Sequence, residues 1–391
     1  MPELKRPLET EESTALVLAK KPRNELVEVT EKSKALLESV SESIKNPRQF
    51  LFITIIFQGP PRTSNMEAPI MLLTGHQGEI YTAKFHPEGN VIASAGFDRQ
   101  IFLWNVYGEC ENFHVINAAH GGAIVQLLYS EDGNNFYTAS TDKTVGVFDS
   151  NTLQRIKRLK GHTLYVNSCC PARRGPPLIV SGSDDCTVRV WDQRYRASVV
   201  NMNATYQVTA VSFGDSGDQV ISAGIDNSVK VWDTRKPEKP VFEMTGHNDT
   251  VTGMSLSPDG THILTNSMDN TLRVWDVRPY ANQERCSKIF TGHQHNFEKN
   301  LLHCAWSPDG ALVSAGSADR FVYIWDTTTR KIMYKLPGHL GSVNDVDFHR
   351  VEPIGKFTNS FIHFYTNFFF FAVLSASSDK QIYLGEFDDS A

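Results

Sequence analysis

Residues 246–276 read GHNDTVTGMSLSPDGTHILTNSMDNTLRVWD, and this stretch decides the fold because its marks recur along the chain. A Gly-His pair opens it, the turn signal SPDG separates two short alternating segments, and Trp275-Asp276 closes it. An aromatic residue followed by Asp or Asn ends each of six units, which are 41 to 50 residues apart: Trp104, Phe148, Trp191, Trp232, Trp275 and Trp325. A period of this length predicts one four-stranded unit per repeat.

Three further positions keep their distance from the aromatic residue. Six residues before it is an aspartate, in the turn between the second and third strands: Asp98, Asp142, Asp185, Asp226, Asp269 and Asp319. Four residues earlier is a serine or threonine in five of the six units, Ala315 being the exception. A histidine stands near the start of every unit but the fourth, where Asn203-Ala204 replaces it: His76, His120, His162, His247 and His293.

These marks predict a structural network. A histidine held between the turn aspartate and the strand hydroxyl can bond to both, and so satisfies groups that burial would otherwise leave unpaired at about 1–3 kcal/mol each. Serine, histidine and aspartate also form hydrolase triads. A catalytic set occurs once, however, whereas this set occurs in almost every unit. The sequence therefore predicts no catalytic residue.

Units of this length with Gly-His and Trp-Asp marks resemble the WD-repeat family, which implies a β-propeller. A seventh unit starts at Gly338-His339 and contains Asp379, with Gly385-Glu386 in place of Trp-Asp. The segment PIMLL, residues 69–73, is expected to complete the last blade as its outermost strand, which removes an open sheet edge. The predicted fold class is all-β, a seven-bladed WD-repeat propeller over residues 69–387 after a mobile N-terminal extension, residues 1–68.

One segment does not fit the repeat. The distance along the chain from Phe348 to Asp379 is far longer than the matching distance from Phe85 to Asp98 in the first unit. Removing residues 355–372, GKFTNSFIHFYTNFFFFA, restores the spacing, and the ends of this segment can be encoded as a splice donor and acceptor. The hypothesis is a retained intron translated in frame. The ends of residues 40–58 can also be encoded as a splice donor and acceptor, but this segment lies outside the repeats, so no repeat spacing tests the hypothesis there. The alternative for residues 355–372 is a surface loop in the seventh blade, and the alternative for residues 40–58 is a frayed N-terminal helix.

Composition excludes several classes of protein. A net charge of −6 and a pI near 6.1 argue against sequence-independent binding of nucleic acid. The six cysteines form no C-x-x-C pair, so we expect reduced thiols, no metal and no cofactor. The apolar runs FLFITIIF and FFFFAVL are too short to span a membrane, and no secretory signal opens the chain. We expect an intracellular soluble protein, with LKRP and AKKPR as candidate nuclear import signals.

A propeller without a catalytic set is expected to bind other macromolecules. We define its top face as the side formed by the loops between blades and the turns between the second and third strands. Side chains there differ from blade to blade, although any one of them alone could be a solvated turn residue. The candidate partner-binding residues are Glu79, Phe97, Arg99, Lys143, Tyr165, Asp184, Gln207, Met268 and Arg320.

Two stretches carry a narrower resemblance. EAPIMLLTGHQGEIYTAKFHPEGN (residues 67–90) and HQHNFEKNLL (residues 293–302) are similar to WD-repeat proteins of the spliceosomal U-five small nuclear ribonucleoprotein. The resemblance implies a nuclear, non-catalytic scaffold that binds the Prp8-type core protein and other particle subunits and supports pre-mRNA splicing. It also implies no cofactor, RNA contact that is indirect or local, no membrane, and a monomer within a larger complex.

An alternative function remains open. WDQR, WDTR and WDVR, which begin at Trp191, Trp232 and Trp275, resemble the WDxR motif of substrate receptors of cullin-RING ubiquitin ligases. The simpler interpretation is an arginine that pairs with a nearby carboxylate at the surface, worth under about 1 kcal/mol. A histone-binding or G-protein-type scaffold is the other alternative.

Overall fold

The computed structural model describes residues 70–281, 284–354 and 370–388. These residues form 28 strands in seven four-stranded antiparallel sheets, which confirms the predicted seven-bladed all-β propeller. The predicted N-terminal extension, residues 1–68, and the segment 40–58 within it lie outside the described residues, as do residues 355–369. The described residues contain no helix long and apolar enough to cross a membrane.

Each blade consists of strands a to d, from the centre of the ring outwards. The a strands are β2 (Ile80–Phe85), β6 (Ile124–Tyr129), β10 (Val166–Pro171), β14 (Val208–Phe213), β18 (Val251–Leu256), β22 (Cys304–Trp306) and β26 (Val343–Ile354). The b strands are β3 (Val91–Gly96), β7 (Asn135–Ser140), β11 (Leu178–Ser183), β15 (Gln219–Gly224), β19 (His262–Ser267), β23 (Leu312–Gly316) and β27 (Phe370–Ser377).

The outer half of each blade is formed by the remaining strands. The c strands are β4 (Ile101–Asn105), β8 (Thr144–Asp149), β12 (Thr187–Asp192), β16 (Ser228–Asp233), β20 (Thr271–Asp276), β24 (Val322–Asp326) and β28 (Gln381–Asp388). The d strands are β5 (Asn112–Ile116), β9 (Arg155–Lys160), β13 (Ser198–Asn203), β17 (Phe242–Thr245), β21 (Cys286–Thr291), β25 (Ile332–Leu336) and β1 (Ile70–Thr74). The d strand of blade 7 therefore comes from the start of the described chain.

Two sets of contacts close the ring. Strand β1 pairs with β28 in antiparallel register, with Leu72 opposite Tyr383, as the sequence predicted. At the centre, hydrogen bonds join each a strand, or one of the two residues before it, to the a strand of the next blade: Thr82 to Leu127, Gln126 to Cys169, Ser168 to Val211, Thr209 to Val251, Thr252 to Leu302, His303 to Asn344, and Asn344 to Ile80. Blade 7 thus lies against blade 1, and the ring has no free end.

The apolar core lies between adjacent blades. Trp191, Trp232, Trp275 and Trp325 are among the largest fully buried side chains. Trp275 of blade 5, for example, packs in one cluster with Ile221 and Val231 of blade 4. Burying a large apolar side chain contributes about 1.5–3 kcal/mol, so each repeat aromatic residue stabilises a blade-to-blade contact.

The a–b hairpin of blade 7 contains the excess residues. In blade 1, Phe85 lies opposite Ile92, so positions 86–91 connect the paired residues. Connections of the same length occur in blades 2, 4, 5 and 6. In blade 7, Phe348 lies opposite Val373, so positions 349–372 connect them, and the excess over blade 1 equals the length of the segment 355–372. Between Phe348 and Val343, the pairing with β27 therefore has the same register as in the other blades, whereas residues 370–372 of the segment extend β27 and pair with residues 386–388 of β28.

We propose that residues 355–372 are not needed for folding of the propeller and come from a retained intron. A variant without them joins Phe348 to Val373 through positions 349–354 alone, a connection as long as that of blade 1. Because the shorter loop lowers the entropy lost on closure, we expect the variant to be more stable by about 1 kcal/mol. Differential scanning calorimetry should show a higher Tm.

The matched control is an equally long deletion of residues 357–374. It removes Val373 and Leu374, which are buried at 4% and 0% exposure, so we expect a large loss of stability. A lower Tm for the variant without residues 355–372 than for the full chain would contradict the proposal. Sequenced transcripts that always contain the codons for this segment would contradict the retained intron.

Candidate functional site

A buried chain of hydrogen bonds connects the marks of each repeat. In blade 3, His162 Nδ1 lies 2.9 Å from Asp185 Oδ2, and His162 Nε2 lies 2.7 Å from Ser181 Oγ. Trp191 Nε1 donates to the same hydroxyl at 2.8 Å. Because a carboxylate only accepts, Nδ1 carries the proton and Nε2 accepts from Ser181. The tryptophan of the repeat is thus part of the same chain of hydrogen bonds as the histidine and the aspartate, with which the sequence had grouped it.

Four other blades repeat this geometry. Their histidine–aspartate distances are 2.6 to 3.0 Å in His76–Asp98, His120–Asp142, His247–Asp269 and His339–Asp379. The same histidines reach the strand hydroxyls of Ser94, Thr138, Thr265 and Ser375 at 2.7 to 2.9 Å. Blades 2 and 7 have Phe148 and Gly385 in place of tryptophan and therefore lack the indole donor. These histidines and hydroxyls are buried, so they face no substrate.

Blades 4 and 6 satisfy their aspartates differently. Asp226 of blade 4 pairs with the ammonium of the buried Lys230 at 2.6 Å, so lysine takes the place of the missing histidine. In blade 6, Asp319 accepts a hydrogen bond from the Tyr323 hydroxyl at 2.6 Å. His293 instead lies 2.8 Å from Asn266 Oδ1.

The inclusion of His293 and Asp319 in the predicted network is therefore wrong for blade 6. Ala315 provides no hydroxyl to hold the imidazole, and the histidine lies further along the chain from its tryptophan than in the other blades. Trp325 Nε1 donates to the Thr291 carbonyl instead. Burial lowers the pKa of His293 to about 3, and the neighbouring His295 contributes to the lowering, so this imidazole is neutral.

Hydrogen bonding controls the ionisation of the turn aspartates. Burial of Asp185 opposes ionisation, but bonds from the Thr187 hydroxyl, the Thr163 amide and His162 outweigh it and lower the pKa to about 2. Burial is outweighed in the same way in four more blades, where the pKa is also lowered: Asp98, Asp142, Asp269 and Asp379. These carboxylates stay charged at neutral pH and accept bonds from the loops they hold.

The chemistry of the described residues does not indicate a metal or a redox site. No group of three or more described His, Cys, Asp or Glu side chains is placed to hold a metal ion. All six cysteines are free thiols. That the protein binds no cofactor stays a prediction.

The top face is positioned by the histidine–aspartate bonds. Each one ties a loop between blades to the b–c turn of the next blade, so both belong to one rigid surface. Of the candidate residues, Phe97, Arg99 and Tyr165 line one cavity of about 510 Å³ at the mouth of the central channel. The other six do not line it: Glu79, Lys143, Asp184, Gln207, Met268 and Arg320.

Sequence reasoning missed part of this cavity. Tyr81 and Lys299 also line it, and Phe297, two residues before Lys299, is fully exposed. The signal was the NFEKN insertion in the blade 6 loop, which lengthens the spacing of that repeat. Asn300 of this loop donates to Ser342 Oγ of blade 7 at 3.0 Å, so the loop reaches its neighbour.

Exposed apolar side chains are concentrated on two parts of the described surface. Seven lie on the outer d strands. Another seven lie on the top face: Phe97, Leu164, Tyr165, Tyr206, Ile225, Phe297 and Leu340. The opposite face has only three among the described residues, Tyr195, Val241 and Tyr280. Because exposed apolar surface is typical of binding sites, the top face is a better candidate for binding a partner than the opposite face.

Each arginine of the three WDxR motifs forms an ion pair with a nearby aspartate. Arg194 donates through Nε and Nη2 to both carboxylate oxygens of Asp192, at 2.6 to 3.0 Å. Arg278 does the same with Asp276, and Arg235 pairs with Asp218. All three therefore have the local partner that the simpler interpretation of the motif requires.

Acid should unfold the propeller through the turn aspartates. Their folded-state pKa lies below the ordinary 3.8, so their stabilising contribution is complete above about pH 4 and is lost as the pH falls towards 2. We expect Tm, followed by circular dichroism, to decrease over this range. The Asp185→Asn variant should be less stable at pH 7, by about 1–3 kcal/mol, and should depend less on pH.

The control for this experiment is Asp218→Asn, since Asp218 is half exposed and lies outside the network. It should behave as the unchanged chain does. Equal acid sensitivity of the Asp185→Asn variant and the unchanged chain would contradict the assignment.

Comparisons with known proteins identify the family. The model of the WD domain, G-beta repeat, matches residues 67–105, 111–149, 153–192, 199–233, 238–276 and 284–326. The chain is 54% identical to the U5 small nuclear ribonucleoprotein 40 kDa protein of Mus musculus, over 95% of this chain and 96% of that protein. It is 54% identical to the protein of the same name from Dictyostelium discoideum, over 85% and 88%.

A more distant relative supports the same family assignment. The pre-mRNA-splicing factor cwf17 of Schizosaccharomyces pombe is 43% identical over 83% of this chain and 89% of its own length. These comparisons confirm the resemblance found in the sequence. The chain belongs to the WD-repeat family and, within it, to the group that includes the U5 small nuclear ribonucleoprotein 40 kDa proteins.

Proposed function

We propose that this protein is a non-catalytic scaffold subunit of the spliceosomal U5 small nuclear ribonucleoprotein, and that it works in the nucleus and supports pre-mRNA splicing. The observation that carries the proposal is the 54% identity to the U5 40 kDa proteins over the propeller. The finer part is that its top face binds the Prp8-type core protein. It joins the particle as a monomer, without a cofactor and without contact with a membrane.

The top face supports binding of a protein. Aromatic side chains are the usual energetic anchors of protein interfaces, and Phe97, Tyr165 and Phe297 are 62%, 53% and fully exposed there. Each is mounted on a loop or turn of the rigid ring, so little conformational entropy is lost when a partner covers it. A platform of this kind suits a large neighbour better than a small substrate.

Contact with RNA is expected to be indirect or local. The chain carries a net charge of −6, and binding to a phosphate backbone is dominated by neutralisation with lysine and arginine. Nuclease treatment therefore should not release the protein from its particle partners.

The binding face can be tested by purifying tagged protein from nuclear extract. A variant with Phe97→Ser, Tyr165→Ser and Phe297→Ser should recover the core protein at a level reduced tenfold or more, because anchor residues contribute about 2 kcal/mol or more each. The matched control carries Tyr195→Ser and Tyr280→Ser on the opposite face. The amount of core protein recovered is measured by quantitative mass spectrometry.

The outcomes separate the candidate functions. Recovery of small nuclear ribonucleoprotein subunits, lost only in the top-face variant, is the expected result. Equal loss in both variants would contradict the assignment of the top face. Recovery of a cullin adaptor that is lost with Arg194→Ala and Arg278→Ala, or recovery of histones, would replace the proposed function with one of the alternatives.

A further inference from the structure

One turn position has a left-handed backbone conformation in every blade. The residue after the repeat aspartate has φ between 60° and 73° in all seven: Arg99, Lys143, Cys186, Asn227, Asn270, Arg320 and Lys380. Among residues with a side chain, asparagine adopts this conformation most readily. Blades 4 and 5 have asparagine there, whereas four blades have a long cation. Local folding does not explain that choice.

The four cations are contiguous in the ring. Arg320 belongs to blade 6, Lys380 to blade 7, Arg99 to blade 1 and Lys143 to blade 2. Blades 6 and 7, 7 and 1, and 1 and 2 are neighbours through the bonds between their a strands. The three uncharged positions, in blades 3 to 5, are also contiguous. The top face therefore has a basic arc, which we define as Arg320, Lys380, Arg99 and Lys143.

The cations of the basic arc are exposed and available. Within the part of the chain that the structure describes, none of the four takes part in an ion pair with a carboxylate. Other basic side chains on the same blades are paired, as Arg158 is with Asp142 and Lys335 with Asp319. Arg99 makes one long hydrogen bond, 3.5 Å, to the Gly121 carbonyl. The arc is thus a surface of unneutralised positive charge.

The arc continues to the central cavity. Arg99 and Lys299 both line the 510 Å³ cavity, whose described lining contains aromatic rings and amides but no carboxylate. Lys299 also has a left-handed backbone, with φ of 52°, and forms no ion pair with a described residue. Glu79, close by on the same blade as Arg99, accepts a hydrogen bond from the Tyr81 hydroxyl at 3.0 Å. The described residues that line the cavity therefore include positive but no negative side chains, and the carboxylates of Glu79 and Glu298 lie outside this lining.

We propose that the basic arc and the cavity bind an acidic segment of a protein partner, laid across blades 6, 7, 1 and 2. The inference rests on the proposed function and specifies which sector of the top face is used. The cations are single residues one blade apart, and each follows a turn aspartate, so they match separate Asp or Glu side chains. A nucleic acid backbone would require a continuous basic groove, which these separate positions do not form.

Replacement by asparagine separates binding from folding. The variant Arg99→Asn, Lys143→Asn, Arg320→Asn and Lys380→Asn gives every arc position the residue that blades 4 and 5 already have. Its Tm should be equal to or higher than that of the unchanged chain. Its Kd for the purified core protein should be weaker by roughly tenfold, the sum of several exposed charge pairs, and the difference should shrink at high salt.

The matched control is Arg330→Asn. Arg330 is exposed and has the same left-handed conformation, with φ of 62°, but lies in the c–d turn on the opposite face. It should leave both Tm and Kd unchanged. An unchanged Kd for the arc variant would overturn the inference and leave the proposed function intact. If the unchanged chain failed to bind any particle subunit, the proposed function itself would fail.

Zero-length crosslinking identifies the partner group. A carbodiimide couples a lysine amine to a carboxylate only when the two are in direct contact, so in the purified particle Lys143, Lys299 and Lys380 should be joined to Asp or Glu of a protein subunit. The Lys299→Arg variant keeps its charge and should lose only its own crosslink. Ultraviolet crosslinks from Phe97 or Phe297 to RNA, without carbodiimide products at these lysines, would contradict an acidic protein segment.

Discussion

The hydrogen bond between a buried histidine and a turn aspartate is the contact on which the surface of this propeller depends. In five blades it fixes a loop between blades to a b–c turn, at 2.6 to 3.0 Å. Ionised aspartate accepts the bond and also bonds the amide beside the histidine, as Asp269 does with Asn248. Loops that would otherwise fluctuate are thereby held rigid. They present exposed aromatic and basic side chains to a partner with little loss of conformational entropy on binding.

Much of this could be predicted because the repeat itself carries the information. Fixed spacing in the sequence means fixed spacing in the blade, so the sequence alone places His162, Ser181 and Asp185 together. Blade 6 shows the limit of this reasoning. Ala315 and a longer loop change the local geometry, and His293 then finds a partner on blade 5 that no repeat position indicates.

Contacts that occur once could not be predicted. Lys84 of blade 1 pairs with the buried Asp345 of blade 7 at 2.8 Å, although the two are 261 residues apart in the chain. Nothing in the periodicity distinguishes either residue, because the pair exists only at the point where the ring closes. The basic arc was missed for a related reason. Arg99, Lys143 and Arg320 were recognised singly as variable turn positions, but the contiguity of the four cations and their shared left-handed backbone appear only once the blades are ordered in space.

The central claim is that the top face, held rigid by the buried network, is the surface that the particle covers. Amide hydrogen exchange measured on the free protein and on the purified particle tests it most directly. The account predicts slower exchange in the particle for the loops around Phe97, Tyr165 and Phe297, with the c–d turns around Tyr195 and Tyr280 unchanged. Protection confined to those c–d turns would contradict it.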